Sequence, residues 1–499
     1  MSRKAALILL TLLGMALLWG TLRQFGAGLT PDSVGYISVA RSLANGEGFR
    51  LADGTLLINQ PPLYSLLLAL GATLVRVDPL AIAPLLNVLL FGATIWLSGQ
   101  LSVALIDSTK LVLLATAAVA VSVPLVNVTL MAWSEPLFIT LLTAGVVLAL
   151  RYRKRPTRSR LIGWALVVTL ATLTRYAGIA LIGAGVGTIA LGSGISVRRR
   201  VRDVLLFALI AAAPLTVWML HNRSVSGTLT GDRSASDISL WQNLDRSAAV
   251  VGAWFAPGTE GSMLPTLALA VLAWLVIGWS WRRDGGAWLR AAAVLWSPVC
   301  LVAAGYAVFL ILTATFTGLD SLDDRLWSPV AVPLILLVAA LLERLGQLVA
   351  GGAGTARLPR ALAIVMLLWL LLPLHASYAM VTQYLEDGGS GFGDRSWRES
   401  ETLAYLRDHP AECYLYSNEP EAITILTGFP AELSPLKSEH GSTGVIPLPL
   451  VWPSERKACL VWFTQESWDA LWPIDALRSK ARLVLVRESG DGRVFRLNW

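Results

Sequence analysis

The chain has 499 residues, 55% of them hydrophobic and only 15% charged, and its mean hydropathy is +0.62. These values exclude an ordinary soluble domain and define a polytopic membrane protein. The formal net charge is +7, yet residues 379–499 hold 17 of the 33 acids and 12 of the 40 basic residues. The basic excess therefore lies in short segments between apolar runs, where it reports topology; it does not point to a nucleic-acid partner.

The opening stretch, "MSRKAALILLTLLGMALLWGTL", has a basic start and a full-length apolar run with no small-residue cleavage site after it, so we read it as an uncleaved first span. Basic clusters at Arg3-Lys4, Lys110, 151–160, 198–202, 281–290 and 344–360 alternate with segments poor in positive charge. The positive-inside rule puts the clusters in the cytoplasm. Residues 26–79, 131–135, 174–176, 222–262, 314–325 and everything after 379 then lie outside. Spans are expected near 5–23, 80–106, 111–130, 136–150, 161–173, 177–195, 203–221, 263–281, 289–313, 326–343 and 361–378. That is about 11 transmembrane helices, amino end inside and carboxyl end outside, in the cytoplasmic membrane of a prokaryote. The block 161–195 is interrupted only by "TLTRYAG", and basic flanks on both sides demand two passes or a re-entrant hairpin. Either path leaves Arg175 near the outer face or buried in protein.

In the first outer loop, 26–79, the stretch "LTPDSVGYISVARSLANGEGF" carries a helix signature. Thr30 suits the cap, Pro31 the first turn, Asp32 and Ser33 complement the positive end of the helix dipole, and Asn45-Gly46 stops the helix. Tyr36, Ile37, Ala40, Leu43 and Ala44 form an apolar stripe, which predicts an amphipathic helix on the outer leaflet. A second apolar piece, "NQPPLYSLLLALGATLVRV", follows and completes a vestibule at the membrane surface.

From 379 the pattern becomes that of a small α/β or α+β soluble domain, which divides the chain into a transmembrane part, 1–378, and an extracytoplasmic domain, 379–499. Ser396 and Glu399 form the capping box of a helix running to about Asp408. "CYLYS", "ACLVWF" and "ARLVLVRES" read as strands, the last two as buried ones. "NEPEAITILTG" reads as a helix capped by Asn418 and stopped by Gly428, and "SGDG" as a hairpin turn before "RVFRLNW". Of the three cysteines, Cys300 sits in an apolar run, and Cys413 and Cys459 allow at most one bridge.

"PDSxxYxxxARSLxxGxGF" with "QPPLYSLLLAL" resembles the first outer loop of the C-type glycosyltransferases, which use polyprenyl-phosphate sugars and include protein O-mannosyltransferases and lipid A aminoarabinose transferases. "MAWSEPLF" (131–138), "LTRYAGI" (173–179), "WMLHNRSVSGTLTG" (218–231), "DDRLWSPV" (323–330) and the tail's "YSNEPEAITILTG" follow in order along nearly the whole chain. The resemblance implies an integral membrane enzyme that moves a sugar from a polyprenyl phosphate to a hydroxyl of a lipid, glycan or protein at the outer face, inverting the anomeric carbon. An Asp at this point of the first loop is the family's catalytic base, and the matching residue is Asp32. The more familiar subfamilies have Asp-Glu here, whereas this chain has Asp32-Ser33, a departure that bears on acceptor class and on any second carboxylate.

The chemistry needs one base for the acceptor hydroxyl and one cationic clamp for the departing phosphate. Arg175 and Arg325 sit at expected outer helix ends beside apolar runs, where a charge is paired or functional. His221 and Asn222 close the seventh span and are candidates for phosphate contact; Tyr36, Glu135 and Tyr176 are candidates for substrate contact. Each has a purely structural counterpart: Asp32 as a helix-end acid, Arg325 pairing with Asp323 or Asp324, Arg175 snorkelling to headgroups, Glu135 capping ahead of Pro136, His221 and Asn222 as ordinary interfacial residues, and the two tyrosines as packing groups with wet hydroxyls. Four scattered His, no D-x-D and no HExxH leave no metal set, so no cofactor is expected, although some relatives use divalent ions. A secondary transporter and a non-catalytic lipid-binding scaffold are the rivals from other classes. The first calls for matching halves and charged midspans, which the sequence lacks; the second needs no grouping of Asp32, Arg175 and Arg325 on one side. A polymerase or ligase of lipid-linked glycans lacks the helical first loop with its early Asp.

Overall fold

Short polar residues and prolines mark where the helices start. The computed structural model describes residues 2–192, 194, 196–318, 321–349, 357–410, 412–438, 445–455, 457–464 and 469–498. Parts of the segments 177–195, 314–325 and 344–360 fall outside these. Ser2 caps α1 (Arg3–Phe25) and Thr30 caps α2 (Pro31–Ala44); α3 (Leu63–Val75) follows Pro62. Asp78 caps α4 (Pro79–Leu105) by accepting from the Leu80 amide. The expected third span is broken into α5 (Thr109–Ala120) and α6 (Val123–Leu130), because Pro124 disfavours helical backbone just ahead of it. Then come α7 (Glu135–Lys154), α8 (Arg158–Thr174), α9 (Ile179–Ala190), α10 (Val197–Ser226), α11 (Leu240–Phe255), α12 (Leu264–Asp284), α13 (Ala287–Phe316), α14 (Asp324–Trp327), α15 (Ala331–Val349) and α16 (Arg357–Glu386).

Among the described residues, nine helical stretches are long and apolar enough to cross a membrane: α1, α4, α5 with α6, α7, α10, α12, α13, α14 with α15, and Leu362–Glu386 of α16. The protein is a multi-pass membrane protein. The other two expected spans are α8 and α9, of 17 and 12 residues. At ~1.5 Å per residue, α9 reaches about 18 Å, well short of a ~30 Å hydrocarbon core. Arg175, extended, and a single turn at Tyr176–Gly178 join the pair. Gly178 packs so closely on α8 that a Cβ there would lie 2.6 Å from the Thr172 Cα. The pair packs between α7, α10 and α13, and α16 runs eight residues past the expected end of the last span, to Glu386.

Thr30 and Ser33 form a reciprocal capping box on α2, and Asn45-Gly46 ends it as expected, with Gly46 at φ 80°. Protein covers more of α2 than the apolar stripe alone predicts. Ser33, Ser38 and Ser42 are buried along with Tyr36, Ile37, Val39 and Ala40, because α3, α4 and the carboxyl-terminal part cover several of its faces. Serine side chains are small enough to be buried on flanks that the hydrophobic pattern marks as exposed.

The carboxyl-terminal part contains α17 (Arg395–Arg398), α18 (Glu401–Asp408), β1 (Tyr414–Ser417), α19 (Pro420–Thr427), β2 (Ala431–Leu433), β3 (Ala458–Phe463), β4 (Arg482–Glu488) and β5 (Gly492–Asn498). The sheet order is β2-β1-β3-β5-β4, parallel among the first three strands and antiparallel at β5 and β4. A disulfide joins Cys413 to Cys459 with Cα atoms 5.7 Å apart. Three expectations are corrected here. Two short helices replace the single one, capped by Asp394 and Ser400, so Ser396 and Glu399 form no capping box. Asn418 does not cap α19; its amide bonds both the N–H and the C=O of Phe463 and so locks β3 to the end of β1. β4 is an exposed edge strand, with Val484, Leu485 and Val486 at 39–49% exposure.

This part is stitched to the first loop. The Gly28 amide donates to the Leu130 carbonyl at 2.8 Å and the Ala132 amide to Gly28 at 2.9 Å. The Leu29 amide donates to Ser390 at 3.0 Å and the Phe392 amide to Leu29 at 2.9 Å. Gly391, at φ 57°, makes this approach possible, since a Cβ there would sit 2.0 Å from the Leu29 oxygen.

Candidate active site

Four chain segments far apart in sequence converge just beyond Leu29. They are the amino end of α2, the amino end of α7, the α8–α9 junction and α14. Asp32 is the second residue of α2, and Ser33, the residue at the subfamily departure, folds back so that its hydroxyl accepts from the Thr30 amide at 3.1 Å. A Glu there would also suit a capping box, but Ser33 is fully buried. A carboxylate from elsewhere in the chain, that of Glu135, the first residue of α7, stands close by.

The four charges form one network. Arg325 donates from Nη2 to Asp32 Oδ2 and from Nε to Glu135 Oε1, the latter at 2.6 Å. Arg175 Nη1 also lies 2.6 Å from Glu135 Oε1 and donates to Ser134 Oγ at 3.1 Å. The pairing expected of Arg325 with its neighbours is not observed: Asp323 caps α14 through the Leu326 amide, and Asp324 accepts from Trp254 at 2.7 Å. The Arg325 guanidinium lies 4.2 Å over the Trp133 ring, whose indole N–H donates to the Thr30 hydroxyl at 2.7 Å. Glu135 is fully buried; two guanidiniums compensate its charge, and without them such burial is prohibitive. Asp32 differs, with 39% of its side chain exposed, and Gln60 Nε2 donates to its Oδ1 at 2.9 Å.

Asp32, Arg175 and Arg325 face a cavity of about 530 Å³. Asp32, Tyr36, Gln60, Arg175, Asp232, Arg233 and Arg325 are on its polar side; Ile179, Tyr306, Phe309, Leu310 and Thr313 of α9 and α13 form a more apolar wall. The Tyr36 hydroxyl shares a 2.9 Å hydrogen bond with Ser134. Burial, with the nearby negative charge of Asp32 adding to it, pushes the Tyr36 phenol above its usual range, so it stays neutral at physiological pH. Tyr176 lines the cavity but donates its hydroxyl proton to the Ile58 carbonyl at 2.9 Å.

Glu135, His221 and Asn222 are not among the cavity's lining residues. Asn222 is buried and ties the loops together, donating to Ile58, Tyr176 and Leu229 at 3.1–3.3 Å. His221 is exposed, beside Trp218. Three lining or linking residues escaped the sequence reading. Ser134 and Gln60 lay within the motifs "MAWSEPLF" and "QPPLYSLLLAL", but as neutral side chains they gave no charge signal. Arg233 lies two positions beyond "WMLHNRSVSGTLTG", after Asp232, and donates to the Asn59 and Thr230 carbonyls at 3.3–3.4 Å. Among the described residues, no carboxylate lies within ion-pair distance of it.

The fold is that of the GT-C membrane glycosyltransferases. No family model and no curated protein sequence matches the chain; the likeness is structural, at identities where fold alone is shared. ArnT from Cupriavidus metallidurans superposes with a TM-score of 0.62 at 15% identity, over 99% of this chain and 98% of that one. Its structure bound to undecaprenyl phosphate gives 0.61, at 15% identity over 98% and 97%. The mycobacterial arabinofuranosyltransferase AftD gives 0.53 at 17% identity, over all of this chain and 40% of AftD. The oligosaccharyltransferase AglB from Archaeoglobus fulgidus, in complex with an inhibitory peptide and a dolichol-phosphate, gives 0.51 at 12% identity, over 86% of this chain and 64% of AglB.

Proposed function

We propose that this protein is an inverting glycosyltransferase that moves a sugar from a polyprenyl phosphate to an acceptor hydroxyl at the outer face of the cytoplasmic membrane. The observation that carries the reading is the cavity, which offers a partly exposed carboxylate and free guanidinium N–H groups on one side and an apolar wall of membrane-embedded helices on the other. A lipid-phosphate sugar has the same two halves. The ArnT structure with undecaprenyl phosphate and the AglB structure with a dolichol-phosphate support a carrier of this chemistry.

Asp32 accepts the proton of the acceptor hydroxyl as oxygen attacks the anomeric carbon and the bond to the phosphate breaks. Gln60 and Arg325 hold the carboxylate from both sides. The core network is neutral, two acids against two guanidiniums, so a bound phosphate needs a further cation; Arg233, which forms no ion pair with its neighbour Asp232, supplies it from the cavity lining. Arg175 and Arg325 keep N–H groups for the phosphate oxygens, whose charge grows as the bond breaks. Tyr36 and Tyr176 contact the sugar. Glu135 acts by fixing the two arginines, and Asn222 by holding the loop that leads to Arg233; His221, exposed beside Trp218, has no part in this arrangement.

The outer placement of residues 379–499 is supported by the charge distribution and by the Cys413–Cys459 disulfide, a bond that persists in oxidising compartments. The membrane part, 1–378, then presents its first loop, 26–79, to this outer domain.

Binding of undecaprenyl phosphate to the purified protein in lipid tests the reading, with undecaprenol as the neutral control. The phosphate should bind more tightly, and Arg233→Gln should weaken it by about tenfold, the loss expected for one charge-assisted hydrogen bond. Equal binding of the two lipids would refute a phosphate site here.

A further inference from the structure

At the opposite end of the same helices the protein has a second cavity, of about 190 Å³, between the carboxyl ends of α7 and α9 and the early turns of α13. Arg153 and Lys154 are its cations, and Leu150, Ile189, Val294 and Leu295 its apolar walls. The rim is built: Arg199 donates to the Pro156 carbonyl, and Arg200 to the Gly192 carbonyl at 2.5 Å. Arg153 donates to the Ser297 hydroxyl, and among the described residues no carboxylate lies within 4 Å of it or of Lys154. The nearby buried acid, Asp203, is already committed to Tyr152 at 2.8 Å, Arg202 at 3.0 Å and Arg199 at 3.5 Å.

A partly buried guanidinium at a membrane surface with only a hydroxyl for company lacks an anion. The chemistry that supplies one here is restricted, because the cations sit directly against lipid-facing apolar side chains. We propose that this cavity binds one anionic phospholipid of the adjoining leaflet, the cytoplasmic one in the topology above. Its phosphate lies on Arg153 and Lys154 and its proximal acyl chain along Val294 and Leu295. The ligand is neither a donor nor an acceptor, so this site stands or falls independently of the transferase reading.

The test is native mass spectrometry of the full-length protein released from bilayers of phosphatidylglycerol or of phosphatidylcholine. One phosphatidylglycerol should be retained at least about tenfold over phosphatidylcholine. Arg153→Gln should remove that preference, and Leu295→Trp, which fills the apolar side while keeping both charges, should also reduce retention. Saturating undecaprenyl phosphate should leave the bound lipid in place. Full retention by both variants, or displacement by undecaprenyl phosphate, would place the lipid elsewhere. Displacement by millimolar inorganic phosphate would make the site one for a free anion; any of these overturns the proposal.

Discussion

Asp32→Asn is expected to lower sugar transfer by about 10² to 10⁴-fold, the range that a positioned general base contributes, while leaving the fold intact and the lipid phosphate bound. Asparagine keeps an oxygen for Gln60 and nearly the same volume. Arg325 also retains Glu135 as its charge partner at 2.6 Å, so no guanidinium is stranded. The loss should therefore fall on turnover and spare donor affinity, measured side by side on the same preparation. Turnover within a few-fold of wild type would reduce Asp32 to a helix-end acid.

Glu135→Ala should have the opposite signature. Glu135 Oε1 accepts from both Arg175 and Arg325 at 2.6 Å in a fully buried position. Its removal leaves two largely buried guanidiniums near each other with Asp32 as their remaining acid. Breaking a buried pair in this way costs about 3–5 kcal/mol, so the variant should unfold at markedly lower temperature or denaturant, and its donor binding should fail with its fold. Glu135→Gln retains an acceptor oxygen and should lie between. A variant with alanine at 135 as stable as wild type would mean that the two arginines are compensated in some other way.

The contrast between these carboxylates explains what the sequence made legible. Asp32 was visible as a helix-end acid because Thr30, Pro31 and Ser33 form a local helix start, and as a candidate base only through the resemblance of the motif around it. The helices were legible for a similar reason, since apolar runs and charged segments alternate along the chain. The site itself is built across the chain, with Arg325 separated from Asp32 by 293 positions. The sequence offered Arg325 both as a phosphate clamp and as a partner of its neighbours Asp323 and Asp324, and only the folded chain shows those two acids engaged with the Leu326 amide and Trp254. Ser33 gave the reverse lesson. Read against the familiar Asp-Glu it marks a lost carboxylate, whereas in three dimensions Glu135 stands close by and Ser33 completes the cap.

Burial in the tail was misread for an equally physical reason. "ARLVLVRES" has the composition of an inner strand, yet β4 pairs on one side alone and forms the sheet's edge. Composition reports apolarity but not which neighbour is missing. Asn418, similarly, has the residue type of a helix cap but uses its amide to bridge two strands.

The most direct measurement is of product. Purified wild-type protein in lipid would be given polyprenyl-phosphate-linked monosaccharides and hydroxyl acceptors, with release of free polyprenyl phosphate and the anomeric configuration of the new linkage both followed. The account predicts stoichiometric release coupled to transfer with inverted configuration. Retained configuration, or binding of the polyprenyl phosphate with no release from any linked sugar, would contradict it.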